Sequence, residues 1–367
     1  MNRIAVAQPR LAGNERKYVL DCLDTSWISS NGKYIAAFEE SFAAFCGVKH
    51  AVAANNGTTA LHLALVALDL KPGDEVIVPT VTYIATANAV KYCGATPVLV
   101  DVSADTMNID PNQIERAITP RTRGIIPVHL YGHPAQMEAV MAIARKHKLW
   151  VLEDAAEAHG AEVNGQRVGG IGDCAIFSFF GNKIVTTGEG GMVTTNDDEI
   201  AARLRLYRGQ GVDPKRRYWF PVIGYNYRMT NIQAAIGLAQ METIDAALSE
   251  RQALARIYDK ALAPLADALV LPTTQPGMQH VYWMYTVYLR EGGEERRDAV
   301  MRALEEQGIE TRPVFYPMHV LPPYLEDKTY PVADEWAQRG INLPTHQDLT
   351  QDDVNRIAVA LRQAVGR

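Results

Sequence analysis

The sequence predicts an α/β fold in which a large domain with a mixed, mostly parallel sheet is followed by a smaller α+β domain. The chain has 367 residues, which is more than one ordinary hydrophobic core accommodates. Between about residues 50 and 200, short apolar runs alternate with helical patterns, which is typical of parallel βαβ units. Beyond about residue 245 the pattern changes to strand, helix, strand and helix. We therefore expect domains at 1–244 and 245–367.

Most of the strands expected in the large domain are rich in Val and Ile, as strands buried on both faces should be. In chain order they are "DEVIVPT", "ATPVLVDV", "RGIIPVHLYG", "LWVLEDA", "CAIFSFF" and "GGMVTTN". Between them, "TTALHLALVALDL" and "AQMEAVMAIARKHK" are typical of helices. The large domain is then an α/β sandwich.

A long amphipathic pattern leads into the smaller domain, "NIQAAIGLAQMETIDAALSERQALARIYDKALAPL". It is followed by "HVYWMYTVYL", by the helical "RRDAVMRALEEQG" and by "IETRPVF". The last helix is expected in "TQDDVNRIAVALRQAVG", where Thr350 and Asp353 have the spacing of a capping box.

The composition argues against several classes of function. With 47% hydrophobic and 21% charged residues the chain is an ordinary globular protein, and its net charge of -6 without a Lys/Arg-rich run argues against nucleic-acid or membrane-surface binding. The four scattered cysteines form no C-x-x-C pair, so we expect reduced thiols and no metal site. Neither a signal-peptide pattern nor an apolar run of about 18 residues occurs, so a cytoplasmic protein is expected.

One cation interrupts an apolar stretch, Lys183 in "FSFFGNKIVTTGEGGMV". Desolvating an ammonium is costly, so a lysine among aromatic and β-branched neighbours either extends its amine to solvent or has a lowered pKa. A solvated loop charge is the ordinary fate of such a residue. The choice depends on what the rest of the chain offers.

Three other stretches carry groups that fit a phosphorylated, flat ligand. Gly57 and Thr58 stand where a loop enters a helix, so N–H groups and the positive helix end converge there; an ordinary N-cap is the alternative. Asp154 ends an apolar strand, where its carboxylate could hold a proton on a heterocyclic nitrogen or cap the next turn. Tyr83, past another strand end, could lie over a flat cofactor or pack in the core.

Together these groups are the parts that pyridoxal phosphate requires. Lys183 offers the amine for its aldehyde, Asp154 a partner for its ring nitrogen, Tyr83 a support for the ring, and the helix start a cup for the phosphate. The sequence contains no H-E-x-x-H, Walker A or G-x-S-x-G motif.

With these residues assembled, the chain resembles the sugar aminotransferases of the DegT/DnrJ/EryC1/StrS family, which have the type I, aspartate aminotransferase-like fold. The resemblance covers nearly the whole chain and is carried by "NNGTTALHLAL", "EDAAEAHG", "SFFGNKIVTTGEGGMV" and "GYNYRMTNIQAAIG". It implies an enzyme that uses pyridoxal 5'-phosphate to move an amino group from glutamate to C4 of a nucleotide-linked 4-keto-6-deoxy sugar. A narrower likeness, in "TSWISSNGKYI", "VPTVTYIATANAVKYCGATPV", "VHLYGHP", "IGYNYRMTNIQAAIGLAQ" and "IETRPVFYPMH", implies GDP-4-keto-6-deoxymannose as the acceptor.

The resemblance also implies roles for single residues. Lys183 takes the position of the lysine that binds the cofactor aldehyde and later, as a free amine, shuttles a proton. Asp154 takes that of the partner of the ring nitrogen, and Gly57, Thr58 and Ser178 that of the phosphate cup.

Three further cofactor contacts follow from the same resemblance. Asn226 matches a residue that reaches the phosphate bound in the neighbouring subunit, which implies a homodimer with shared active sites. Tyr83 falls where an aromatic ring supports the cofactor. Glu157 stands three residues after Asp154, where many relatives carry Gln or His.

The sugar nucleotide is expected to meet residues of the matching segments. A diphosphate needs cationic or N–H-rich partners. The candidates are Trp27, Ser29, Arg208, Tyr316 and His319.

Three alternatives stay open at this point. The acceptor could be another nucleotide-linked 4-keto-6-deoxy sugar. Some relatives are pyridoxal phosphate-dependent 3-dehydratases of the same GDP sugar, but they carry His where this chain has Lys183. A cofactor-binding regulator would add a basic DNA-binding module, whereas here the family pattern begins almost at residue 1 and the net charge is negative.

Overall fold

The computed structural model describes residues 3–366. Its strands are β1 (His50–Ala54), β2 (Glu75–Pro79), β3 (Thr96–Val100), β4 (Thr122–Ile125), β5 (Trp150–Asp154), β6 (Glu162–Val163), β7 (Gln166–Arg167), β8 (Cys174–Ser178), β9 (Gly191–Thr195), β10 (Leu269–Val270), β11 (Met278–Gln279), β12 (Tyr285–Leu289), β13 (Arg312–Pro313) and β14 (Gly340–Leu343). Its α-helices are α1 (Glu15–Asp24), α2 (Lys33–Cys46), α3 (Gly57–Ala67), α4 (Ala85–Tyr92), α5 (Pro111–Ala117), α6 (Met137–His147), α7 (Asp198–Arg208), α8 (Asn231–Met241), α9 (Ile244–Leu262), α10 (Glu294–Glu306), α11 (Pro331–Trp336) and α12 (Gln351–Val365).

The large sheet has the strand order β1-β9-β8-β5-β4-β2-β3. Strands β8, β5, β4, β2 and β3 run parallel, and β9 pairs antiparallel with both β1 and β8. Every residue of β2, β8 and β9 is buried, as expected of strands covered on both faces. The predicted α/β class with a mixed, mostly parallel sheet is confirmed.

The observed elements differ from those expected at β1 and in the long helical pattern before the smaller sheet. Each strand expected in the large domain is present, whereas β1 was not expected, because its Ala-rich sequence "HAVAA" has a low strand propensity. The long helical pattern divides into α8 and α9. The capping box of α12 is present: the Asp353 N–H donates to Thr350 Oγ1 (3.2 Å), and the Thr350 N–H donates to Asp353 Oδ2 (2.9 Å).

A smaller antiparallel sheet has the strand order β10-β12-β14-β13 and packs with α10, α12 and part of α9 around a second apolar cluster. Helix α9 crosses from one cluster to the other, since Leu248 lies in the first and Leu254 in the second. Ile4, near the start of the chain, also lies in the second cluster and bridges to Ile309. The domain boundary predicted at residue 245 falls in the first turn of α9 and stays a prediction.

The segment before β12 reaches over the carboxyl edge of the large sheet. Arg251 of α9, which is buried, holds this segment because its Nη1 donates to the carbonyls of Tyr282 (3.2 Å) and Trp283 (3.4 Å). A Cβ on Gly132 would lie 2.9 Å from the Trp283 nitrogen, and the φ of Gly132 is +97°, so only glycine allows this approach. No helix among residues 3–366 combines the length and apolar composition that a bilayer span requires.

Candidate active site

A cleft of about 600 Å³ lies at the carboxyl edge of the large sheet. Its walls come from the start of α3 and from the segments after β2, β5 and β8. They are completed by Arg312 of β13 and by Trp283 in the segment before β12. Open α/β sheets bind ligands at this edge, and a cleft between two packed units is a common place for a cofactor.

One corner of the cleft is built to receive an anion. Helix α3 begins at Gly57 behind the N-cap Asn56, whose Oδ1 accepts from the Thr59 N–H (2.8 Å). The N–H groups of the first turn, which includes Gly57 and Thr58, have no partner within the helix and lie at its positive end. A Cβ on Gly57 would lie 2.8 Å from Cβ of Ser178, so glycine brings Ser178 against the helix start. These residues form a corner that fits a phosphate.

Lys183 follows β8, and its side chain is only 11% exposed. Its Nζ lies 3.6 Å from Glu157 Oε1 and 3.6 Å from the centre of the Trp283 ring. Burial lowers the pKa of Lys183, while Glu157 and Asp154 act in the opposite direction. The amine is therefore desolvated and is not the solvated loop charge that a lysine between glycines usually is.

Asp154 ends β5 beneath the same cleft and is buried. Its Oδ2 accepts from the Thr86 hydroxyl (2.8 Å), and its Oδ1 accepts from the Ala156 N–H (3.2 Å). Burial raises the pKa of Asp154, whereas the Thr86 hydroxyl, the Ala156 N–H and Lys183 lower it. Asp154 thus caps the following turn and also lines the cleft, so the two alternatives drawn from the sequence coexist.

Glu157 is a second buried carboxylate beside the amine. Its Oε2 accepts from the Tyr131 N–H (2.8 Å). Burial raises the pKa of Glu157 to about 7, although Lys183 and the Tyr131 N–H lower it. Two carboxyl groups and one amine are thus buried along the same cleft, so the site can hold and release a proton near neutral pH.

Aromatic rings line the opposite wall. Tyr83 is 59% exposed, and its ring centre lies 5.8 Å from that of Phe315, so it faces the cleft and not the core. Phe315 stacks on Tyr131 (5.2 Å), and Tyr131 stacks on Trp283 (6.1 Å). The sequence reasoning missed Tyr131, Trp283 and Phe315. Of these three, only Tyr131 carried a local signal. It lies at the end of the expected strand "RGIIPVHLYG", much as Tyr83 lies past the end of another expected strand.

Asn226 lies outside this cleft, in the exposed segment before α8. Its Oδ1 accepts from Arg228 (3.0 Å), and its backbone pairs with Gly209. The contact expected of Asn226 is with the cofactor of a neighbouring subunit, so it stays a prediction.

Two of the residues expected to contact the sugar nucleotide, Arg208 and His319, already contact other side chains of this chain. Arg208 donates from Nη1 to Glu39 Oε1 (2.6 Å) and to the Ala53 carbonyl (2.8 Å). His319 is buried, with Nδ1 2.7 Å from Thr80 Oγ1 and Nε2 2.7 Å from Asp334 Oδ1. Neither is among the described residues that line the cleft, and this geometry favours structural roles for both.

The other three expected contacts lie at the surface. The hydroxyl of Tyr316 donates to Glu294 Oε1 (2.6 Å), and its side chain is 45% exposed. Trp27 is 57% exposed, and Ser29 is also exposed, with its carbonyl accepting from the Asn231 N–H (2.7 Å). None of them is among the described residues of the cleft wall, so their contact with a sugar nucleotide stays a prediction.

The groups present fit pyridoxal phosphate, because the α3 corner suits its phosphate and the cleft also places a desolvated amine near a buried carboxylate. The fold and the cleft are those of a pyridoxal phosphate-dependent aminotransferase. The chain belongs to the DegT/DnrJ/EryC1/StrS aminotransferase family, whose sequence profile matches residues 9–362.

Individual relatives are similar over their full length. A protein from Caulobacter vibrioides named GDP-perosamine synthase is 58% identical over 365 residues, which are 99% of this chain and 98% of that protein. A protein of the same name from Escherichia coli O157:H7 is 47% identical over 364 residues, 99% of each chain. The structure of a putative sugar aminotransferase from Streptococcus pneumoniae, in its PLP form, has a TM-score of 0.94 and 27% identity over 99% of this chain and 98% of that one. The family, the aminotransferase class and the cofactor expected from the sequence are confirmed.

Glu157→Gln should remove a pH dependence of stability. Burial raises the pKa of Glu157 from 4.5 to about 7. Its stabilising contribution is therefore full below about pH 4.5 and is lost as the pH rises toward 7, because the unfolded chain ionises first. The loss amounts to about 3 kcal/mol, at about 1.4 kcal/mol per pKa unit.

The measurement is the free energy of unfolding in urea, for the cofactor-free wild type and variant, between pH 4.5 and 8. The variant should gain stability relative to the wild type as the pH rises. Parallel curves for the two proteins would contradict a buried carboxyl group that titrates in this window.

Proposed function

We propose that this aminotransferase moves an amino group from glutamate to C4 of GDP-4-keto-6-deoxymannose and thereby makes GDP-perosamine. The end-to-end similarity to proteins named GDP-perosamine synthase supports this acceptor. The observation that carries the chemistry is the meeting of Lys183 and Asp154 in one desolvated cleft beside the start of α3.

The chain's own residues would hold the cofactor at three points. The first turn of α3, with Gly57 and Thr58, and the hydroxyl of Ser178 would receive the phosphate. Asp154 would hold a proton on the ring nitrogen, and Tyr83 would support the ring face. When bound, pyridoxal phosphate supplies an aldehyde that accepts the donor's amino group and a ring that accepts the electron pair left by proton removal.

Lys183 would first bind the aldehyde and then, displaced by the donor, move a proton. Burial lowers the pKa of its amine, which favours the neutral form that acts as nucleophile and base. Glu157 lies 3.6 Å away and would exchange a proton with it, so that the charge of the pair stays constant. Lys183 also supports amino transfer over the 3-dehydratase alternative, whose enzymes have a histidine that cannot bind the aldehyde.

A homodimer with shared active sites is part of the proposal. Between α7 and α8 the segment 212–223 exposes a cluster of large apolar side chains, including Tyr218 (75%) and Ile223 (89%). Exposed apolar patches of this kind mark protein interfaces. Asn226 lies three residues beyond Ile223, where it would reach the cleft of a second copy. A cytoplasmic location, supported by the four unpaired cysteines, completes the proposal.

Lys183→Ala should fold and bind pyridoxal phosphate without a covalent link, and it should lose turnover. The absorption spectrum would show the band of free cofactor in the variant, and wild-type protein should convert its cofactor to the amino form when glutamate is added. The change removes the nucleophile and the proton carrier together, so we expect a loss of at least about 10³-fold in kcat. Near-normal transamination by this variant would refute the role of Lys183.

The acceptor is tested by comparing kcat/KM for 4-keto-6-deoxy sugars linked to GDP, dTDP and UDP. The GDP sugar should be preferred by about tenfold or more, as expected when one base is recognised by hydrogen bonds. A clear preference for another nucleotide would disprove the GDP assignment and leave the aminotransferase chemistry intact.

Shared sites are tested by mixing two impaired variants, Lys183→Ala and Asn226→Asp, which places a carboxylate opposite the phosphate. A mixed dimer would hold one intact site, made of Lys183 from one subunit and Asn226 of the partner subunit. Random exchange should restore up to about a quarter of wild-type activity. If mixing restores no activity although subunits exchange, each site is built from one chain.

A further inference from the structure

We propose that Trp283 is a positioning residue for Lys183: its ring holds the lysine amine, and its indole N–H fixes the turn that carries the lysine. The inference rests on the proposed role of Lys183 and extends it. Trp283 lies in the segment before β12, two residues ahead of the strand, and was not among the residues that the sequence predicted.

Trp283 makes two contacts with the lysine turn. Its Nε1–H donates to the carbonyl of Asn182 (2.8 Å), the residue before Lys183. The centre of its ring lies 3.6 Å from Lys183 Nζ, within the range of a cation–π interaction. One side chain therefore fixes the backbone next to the lysine and the far end of the lysine side chain.

Trp283 is itself held firmly. It is 5% exposed, and its carbonyl accepts from the buried Arg251 (3.4 Å). The N–H of Val281 donates to the Gly132 carbonyl (3.0 Å). Tyr282 has a φ of 49°, a left-handed conformation that costs a tyrosine free energy and persists only where the surroundings enforce it. This enforced backbone directly precedes the residue whose ring contacts the amine, which points to a positioning role for Trp283.

The indole ring differs from the neighbouring carboxylates in how it acts on the proton of the Lys183 amine. Glu157 and Asp154 attract the ammonium but can also take its proton, and Arg312 repels it. Burial and the nearby Lys183 lower the pKa of His159 to about 3, so His159 is neutral beside the amine. The face of an indole attracts the ammonium and cannot accept its proton. Trp283 thus holds the amine near the reacting atoms after the donor displaces it, and leaves the proton to the reaction.

The test measures the amine of Lys183 in the cofactor-free protein. Lysines are reductively methylated with ¹³C-formaldehyde, and the signal of Lys183, assigned by its absence in Lys183→Arg, is titrated by NMR. Trp283→Leu removes the ring face and the N–H, and Trp283→Phe restores only a ring face. Trp336→Leu is the matched control, because Trp336 packs against Tyr288 (5.7 Å between ring centres) and is not among the described residues of the cleft wall.

We expect Trp283→Leu to increase the acid dissociation constant of the Lys183 amine several-fold to about tenfold, because the ring no longer stabilises the ammonium. Trp283→Phe should recover part of the difference, and Trp336→Leu should match the wild type. In the loaded enzyme, Trp283→Phe should lower kcat more than it changes the KM for glutamate.

A Lys183 amine that titrates identically in the wild type and in Trp283→Leu overturns the proposal and leaves Trp283 a packing residue. If Trp283→Leu does not fold, Trp283→Phe decides: an unshifted titration together with an unchanged kcat overturns it. The titration requires neither cofactor nor sugar nucleotide, so a different acceptor would not affect it. Failure of the proposed function would instead appear as turnover by Lys183→Ala.

Discussion

The site depends on the desolvation of a single ammonium group. Removing the Lys183 amine from water is unfavourable, and the protein offsets this with two carboxyl groups and one aromatic face. Each of these comes from a different element: Asp154 from the end of β5, Glu157 from the turn after it, and Trp283 from the segment before β12. The large sheet, the smaller sheet and their junction must all be in place before the amine acquires its properties.

The part of the site carried by contiguous motifs could be predicted from the sequence. Strands buried on both faces have a strong Val and Ile pattern, and open α/β sheets bind ligands at the carboxyl ends of their strands, so Asp154 could be placed in the site. The start of α3 was identified by its loop-to-helix pattern, and Ser178 by the resemblance to the family. Lys183 was conspicuous because a cation stood among apolar neighbours. Strand β1 was not predicted, because alanine has a low strand propensity. Its strand conformation depends instead on the pairing of β1 with β9 in the sheet.

The residues that could not be predicted act across long sequence distances. Trp283 lies 100 positions from Lys183, and Tyr131 contacts Phe315 across 184 positions. The partners of Arg208 and His319 are likewise set by tertiary packing: Glu39 comes from α2, and Asp334 from α11. A local pattern shows that a side chain is polar, but not whether it already contacts a carboxylate elsewhere in the same chain.

The continuity of α9 links the geometry of the cleft to its chemistry. The helix belongs to both apolar clusters, and its Arg251 donates a hydrogen bond to the carbonyl of Trp283. A pivot of the smaller unit about this helix would draw the indole away from the lysine and admit water to the amine. Widening the cleft would therefore act on the proton affinity of Lys183 in two opposed ways: loss of the indole face would lower it, and hydration of the ammonium would raise it. The position of the smaller unit thus affects both the access of a ligand to the cleft and the protonation state of Lys183.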